Sequence, residues 1–218
     1  MQILKFSLGQ LQANCYFLIE DDKCLIIDPA DEASFILEEL QRRKLKLVGM
    51  LATHGHFDHV MAAGEIQKSI SVPLHLSEDD QFLIDRMKET AEYFLNYAPL
   101  IIKPTLINHL IKVKDIRKEI RIPALLAGRS NFKFQILSTP GHTPGSVGIY
   151  FSKEKAVLTG DTLFKEGIGR YDFSYSDKKK LRESIKNILE LPKDTIVYPG
   201  HGEETTIANE KEFALSLF

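Results

Sequence analysis

The heptapeptide Thr53-His54-Gly55-His56-Phe57-Asp58-His59 constrains this chain more than any other stretch. It holds three of the seven histidines in a chain of 218 residues. Chance would place histidine at three fixed positions with odds of roughly three in a hundred thousand, so accident is a poor explanation. A polar surface loop needs no partners elsewhere, whereas a metal site does. His54 and His56 are two apart, so on extended chain both face the same side and can address one cation. Asp58 and His59 open the segment that follows and point elsewhere, towards a second cation.

Partners recur just after predicted strands. "LVGMLAT" leads into His54, "FQILSTPG" into His142, "AVLTG" into Asp161 and "TIVYPG" into His201. Strands of one layer end at a common edge, so their following loops can converge. Glycines 141, 160, 200 and 202 flank these positions, where the backbone must turn or approach closely. Five of the seven histidines belong to this set. With Asp58 and Asp161 it makes seven ligands. That is about the number two four- to five-coordinate cations need when one carboxylate bridges and positions stay open for water.

The intervening pattern predicts an α/β protein. "ANCYFLIE" and "KCLIID" read as two strands around an Asp21–Asp22 turn. Residues 31–44 read as an amphipathic helix with acidic residues in its first turn. Residues 45–53 are a buried strand and 57–70 a helix. "YFSKEKAVLTGD" (150–161) repeats the hairpin plan of "FLIEDDKCLIID" (17–28), each ending in aspartate. A helix follows around 177–190, then a strand at 195–198 and a last helix after 204. Two such halves suggest a sandwich of two sheets with helices outside. Residues 78–128 read as helical, with Ser77 as N-cap and Asp80 three residues on. They form either an insertion over the core or a separate cap. Without a Gly/Ser- or Pro-rich linker, 1–218 counts as one domain.

Composition narrows the partners. The chain is 44% hydrophobic and 27% charged, with a formal charge of −2. No basic patch favours nucleic acid. No uninterrupted apolar run reaches the length of a membrane span, and the N-terminus has no signal-peptide core. Cys15 and Cys24 sit on the two arms of the first hairpin. Cys24 should pair near Ile19, too far from Cys15 to bridge to it. Free thiols and a cytoplasmic location are the expectation.

The ligand pattern resembles the metallo-β-lactamase superfamily. That resemblance implies an α/β fold, an αββα sandwich of two mixed β-sheets flanked by helices, with a dinuclear metal site at one edge. It implies that His54, His56 and His142 hold one ion, that Asp58, His59 and His201 hold the other, and that Asp161 bridges. It also implies two divalent ions, zinc first and iron or manganese as alternatives. Within the superfamily, "GDTLFKEGIGRYDF" (160–173) and "PGHGEETTIANE" (199–210) are similar to glyoxalase II, the hydroxyacylglutathione hydrolases. The implied activity is hydrolysis of a small-molecule thioester by metal-bound hydroxide, with Asp58 as ligand and candidate proton shuttle. Arg170, Lys165, Tyr171 and Tyr175 follow Asp161 and are expected at the substrate mouth. A family tyrosine that contacts glutathione falls at Asp172, and a C-terminal helical domain does not fit between His201 and Phe218. Modest affinity for glutathione is therefore expected. The alternative is a persulfide dioxygenase, which the "GIGRYDF" motif also resembles. There a single Fe(II) would sit on His54, His142 and Asp161.

Other residues carry weaker expectations. Asp28 is either an acceptor that orients a ligand histidine or a turn residue with Pro29. His75 reads as a strand-edge residue, His109 lies outside every motif, and Lys178–Lys180 read as a solvated helix face.

Overall fold

The computed structural model describes residues 1–110 and 132–217. Its strands sort by period-two alternation into two sheets. The first has the order β1-β2-β3-β4-β5-β6. These are β1 Gln2–Leu8, β2 Ala13–Glu20, β3 Lys23–Ile27, β4 Lys46–Leu51, β5 Leu74–Ser77 and β6 Ile107–Leu110. The second contains β7 Gln135–Ser138, β8 Val147–Phe151, β9 Ala156–Gly160, β12 Ile196–Pro199 and β13 Thr205–Thr206, in the order β13-β12-β9-β8-β7. A small hairpin, β10 Leu163–Phe164 with β11 Gly167–Ile168, follows β9. Both large sheets are mixed. β3 to β6 pair in parallel, as do β9 and β12, and the remaining pairs are antiparallel.

Alternation explains the layers, because successive side chains on a strand point to opposite faces. On β2, Tyr16 and Leu18 enter the core between the sheets, while Cys15 and Phe17 enter the core beneath the helices. On β3, Leu25 and Ile27 take the first direction, Cys24 and Ile26 the second. In the other sheet, Ile149, Phe151 and Leu158 face the central core and Tyr150 and Val157 the outer one. Helices α1 Ala33–Arg42, α3 Ala63–Ser69 and α5 Met87–Leu95 cover the first sheet through Ile36, Leu40, Ile66, Met87 and Ala91. Helices α6 Lys178–Ile188 and α7 Ile207–Ser216 cover the second through Leu181, Ile185 and Ile207. The result is the expected αββα sandwich.

Several expectations hold in detail. Glu20 pairs with Lys23 across the Asp21–Asp22 turn, Cys24 lies opposite Ile19, and both cysteines are free and buried. Lys178, Lys179 and Lys180 are exposed on α6. No helix among the described residues is long and apolar enough to cross a membrane.

Others are corrected. The helix expected over 57–70 is two, α2 Phe57–Val60 and α3, parted at Met61–Ala62. The loop after β3 takes the hydrogen bonds that would join them. Ala30 donates to the His59 carbonyl and Ala62 donates to the Ala30 carbonyl, both at 2.8 Å. Acidic residues do not occupy the first turn of α1, because the helix starts at Ala33, after Glu32. The segment expected as helical over 78–128 contains α4 Gln81–Asp85 and α5, but 107–110 is strand β6, paired on the open edge of β5. Residues 111–128 of that expectation lie outside the described residues. His75 is not at a sheet edge. It is buried on β5, between β4 and β6, and its Nε2 has no hydrogen-bond partner among the described residues. His109 is exposed and bonds to Gln81 at 2.8 Å.

Candidate metal centre

Strands β7, β9 and β12 run in one direction, β7 and β9 through antiparallel β8 and β12 by parallel pairing with β9. Their C-terminal ends deliver His142, Asp161 and His201 to one edge. β4 delivers His54 from the other sheet. The edge is closed where the sheets meet. Ala13 and His201 form an isolated β-bridge, and the Asn14 side chain donates to the carbonyls of Pro199 and Gly202, both at 3.0 Å. The Tyr16 hydroxyl donates to the same Pro199 carbonyl at 2.6 Å.

All seven expected residues converge there, in two groups whose donor atoms lie within 4.8 Å of one another. One group is His54, His56, His142 and Asp161, and the other is Asp58, His59 and His201. Nε2 of His142 is 3.1 Å from Nδ1 of His56, and Nε2 of His59 is 3.3 Å from Nε2 of His201. Asp161 lies between the groups, with Oδ1 3.4 Å from His59 and Oδ2 3.5 Å from His142. His201 is 3.3 Å from Asp58. Four ligands at bond lengths of ~2.0–2.1 Å define a tetrahedron with edges of about 3.3 Å, so these spacings match coordination of a small divalent ion.

The opposite side of each ring supports the same reading. A neutral imidazole has one N–H and one lone pair, and the partner of one nitrogen fixes the role of the other. His59 Nδ1 is 3.0 Å from Asp28 Oδ2, His142 Nδ1 is 2.8 Å from the Arg170 carbonyl and His56 Nε2 is 2.8 Å from the Tyr175 hydroxyl. His54 Nδ1 is 3.1 Å from Thr53 Oγ1, which donates to Asp28 at 2.7 Å. With those nitrogens protonated, bare lone pairs face the cluster. Among the described residues two buried atoms there, His54 Nε2 and Asp161 Oδ1, have no well-aligned hydrogen-bond partner, the 3.4 Å contact of Oδ1 with His59 included. A buried unpaired polar atom is costly, and a cation resolves both.

Asp28 is thus the acceptor that orients histidines of both groups, rather than a mere turn residue. Its own backbone is left-handed, with φ 51°, strain of a kind that the surrounding structure must impose. Without ions the cluster is electrostatically tense. Burial drives the His54 pKa down and that of His56 to about 3. Burial is the largest single influence on Asp161 and would raise it, but His59, by charge and hydrogen bond, together with His54 and His142 outweighs it and holds the carboxyl well below its usual range. Burial would likewise lower His59, yet Asp161, Asp58 and Asp28 hold it up.

The cluster opens into a cleft of about 400 Å³. Leu11, Phe94, Phe164, Ile168 and Phe173 supply apolar walls, and Arg170 and Tyr175 supply polar groups. A larger cavity of about 670 Å³ shares no residue with the cluster, so the smaller cleft is the one that matters for chemistry here. Arg170 lines the cleft, but its guanidinium is paired bidentately with Asp172, at 2.9 and 2.8 Å, and lies 4.5 Å from the centroid of the Phe173 ring. Lys165 and Tyr171 do not line it. The short β10–β11 turn carries Lys165 towards Glu203, and Tyr171 lies under Lys178 on α6. Sequence reasoning missed Leu11, in a turn, and Phe164, on the two-residue strand β10, as walls, since neither belongs to an apolar run long enough to carry a local signal. It also missed Asp80. This carboxylate is fully buried and accepts from Gly55 N, Gly145 N and Thr143 Oγ1 at 2.7–2.9 Å, rather than completing a capping box with Ser77.

Comparison with known proteins agrees with this geometry. The model of the metallo-beta-lactamase superfamily matches residues 8–201. The hydroxyacylglutathione hydrolase GloC of Haemophilus influenzae is 37% identical over 214 residues, 97% of this chain and 95% of that protein. Among solved structures, the BLEG-1 B3 metallo-beta-lactamase superposes with a TM-score of 0.85 at 32% identity, covering 99% of both chains. TTHA1623 in a di-iron-bound form superposes with 0.83 at 34% identity, covering 96% of this chain and 98% of that one. A seven-residue His/Asp cluster suited to divalent metal, at the edge of an αββα sandwich matched along nearly its whole length, makes this chain a member of the metallo-beta-lactamase superfamily.

Proposed function

We propose that this metallo-hydrolase cleaves a small thioester at a centre of two divalent ions. The carrying observation is the complete cluster, in which His54, His56, His59 and His142 each have an outward nitrogen already partnered and an inward one facing the other ligands. His54, His56 and His142 would hold one ion, Asp58, His59 and His201 the other, with Asp161 between them. Such ions supply a water of lowered pKa and polarise a carbonyl oxygen. The protein's part is placement. Asp161 and Asp58 offset the positive charge, the outer acceptors fix the ring orientations, and the apolar cleft walls exclude water from the ester. A thiol leaves with a pKa of ~8.5 and needs little protonation, which suits a cluster whose carboxylates are all committed. GloC carries the name of a hydroxyacylglutathione hydrolase, which supports the substrate class. Zinc is the first expectation for the ions, with iron or manganese as alternatives, the relative TTHA1623 being di-iron-bound. Asp58 remains a candidate proton shuttle as well as a ligand.

What favours two ions over one is the second group. If a single iron sat on His54, His142 and Asp161, the second group of Asp58, His59 and His201 would keep ligand spacing, with His59 Nε2 3.3 Å from His201 Nε2, and hold no ion. The test is metal analysis combined with two assays. Zinc-loaded protein is given S-lactoylglutathione and thiol release is followed, and iron-loaded protein is given glutathione persulfide and oxygen uptake is followed. Two ions per chain and thiol release, abolished in His54→Ala and Asp58→Ala, are expected. One iron per chain with oxygen uptake and no thioester cleavage would replace the hydrolase by a dioxygenase.

A further inference from the structure

We propose that Tyr175 is a catalytic residue of the thioester cleavage, donating a hydrogen bond from its phenol to the departing sulfur. The inference rests on the thioester reading above and on three observations.

The first is position. Tyr175 lines the cleft beside the cluster, with its ring 6.0 Å from that of His56. Its ring is held on two sides. It stacks on Phe173 with centroids 5.4 Å apart and an interplanar angle of 16°, and Phe82 meets it edge-on at 5.3 Å. The hydroxyl is therefore placed by packing rather than by a flexible stem.

The second is the direction of its hydrogen bond. Nδ1 of His56 faces the cluster, 3.1 Å from His142. With Nδ1 given to an ion, as proposed above, the proton of the neutral ring sits on Nε2, which is 2.8 Å from the Tyr175 oxygen. An imidazole N–H cannot accept, so His56 is the donor and the phenol oxygen the acceptor. The phenol's own hydrogen has no acceptor among the described residues. A half-buried O–H without a partner, lining the substrate cleft, is a donor reserved for a ligand.

The third is what the other polar groups of the cleft do. Thr90 gives its hydroxyl to the Arg86 carbonyl at 2.9 Å, and Arg170 has its guanidinium fork on Asp172. Neither stands ready as a neutral donor.

The chemistry defines which substrate atom gains. Attack of a hydroxide oxygen on the carbonyl carbon forms a C–O bond and pushes an electron pair onto the carbonyl oxygen, whose charge bound ions would offset. When that pair returns, the C–S bond breaks and its electrons go to sulfur. Sulfur is then the atom that gains charge with nothing yet assigned to meet it. A phenol, pKa ~10, keeps its proton against a thiolate of pKa ~8.5, so Tyr175 donates a hydrogen bond and transfers no proton. The thiol is protonated later by solvent.

Leaving-group dependence tests this. Wild type and Tyr175→Phe, both zinc-loaded, are compared on lactoyl thioesters of N-acetylcysteamine, an alkyl thiol, and of thiophenol, a far more acidic one. Metal content and thermal midpoint are measured alongside. We expect Tyr175→Phe to keep both ions and its fold. Its kcat on the alkyl thioester should fall about 10- to 100-fold with KM little changed. On the thiophenyl ester, where sulfur needs no help, the deficit should shrink to less than about threefold. Equal deficits on both esters, no deficit on either, or loss of an ion would overturn the proposal, the last by reducing Tyr175 to a support for His56. If wild type cleaves neither ester, the thioester reading itself fails, and that is visible without the variant.

Discussion

At the residue scale, the metal cluster depends on two buried carboxylates that are not in it, and they have separable jobs. Asp28 reaches His59 directly and His54 through Thr53, so it orients one histidine of each group. Asp80 touches no ligand side chain. It ties Gly55, between His54 and His56, to Thr143 and Gly145, which follow His142. Those loops supply the histidines of one group only. The fit is close enough that a Cβ on Gly145 would come within 2.6 Å of the Asp80 carboxyl carbon. Asparagine has one acceptor oxygen where Asp80 uses two. Asp80→Asn should therefore weaken the His54/His56/His142 ion selectively, by roughly 10- to 100-fold, the loss typical of outer-sphere partners. Asp28→Asn should weaken both ions. Chelator competition read by metal content distinguishes them, and equal losses at both sites in Asp80→Asn would refute the assignment. Neither role was legible in the sequence to the same degree. Asp28 stood out because it closes a hairpin as Asp161 does. Asp80 sits in an acidic run that reads as a helix start, and only the folded chain reveals that its carboxylate is turned inward.

At the scale of elements, the ligand set was legible because each member follows a strand, and strand ends are read from local apolar runs. What those runs do not encode is competition between segments. The helix expected over 57–70 breaks because Ala30, far away in the chain, takes the His59 carbonyl. The strand at 107–110 forms because β5 offers an open edge. Lys165 points away because the β10–β11 turn is only two residues long. The end of β12 shows how closely elements meet at the centre. A Cβ on Gly200 would lie 2.2 Å from Asp161 Oδ1 and 2.7 Å from His59 Cε1. Either β12 or the cluster must shift to admit it. Gly200→Ala should lower metal occupancy at both sites, since Asp161 lies between them, on the order of 10-fold or more in affinity. An alanine variant that binds two ions as tightly as wild type would show that β12 approaches less closely than described.

At the scale of the molecule, the centre sits at the edge of a sandwich whose hydrophobic cores contain none of its ligands. Among the described residues three hydrophobic cores, one between the sheets and one beneath each helical layer, hold Phe17, Ile26, Leu25, Phe151, Val157 and Ile185 fully or almost fully out of water. A small zinc module has no such core and unfolds on chelation. This chain should instead stay cooperatively folded without ions, but lose stability, because the free energy of ion binding to the folded cluster is then lost. Ligand linkage gives the size. Ions at about a hundredfold above each Kd contribute ~2.7 kcal/mol per site. For a domain of this length each kcal/mol moves Tm by ~2–4 °C. Stripping both ions should therefore lower Tm by roughly 10–20 °C while the unfolding transition stays single and steep. In His54→Ala/His59→Ala, where both groups are broken, the chelator should change Tm little. A chelated wild type with unchanged Tm would mean that the cluster holds no tightly bound ions. A chelated wild type without a cooperative transition would mean that the ions, and not the three cores, decide whether the sandwich forms.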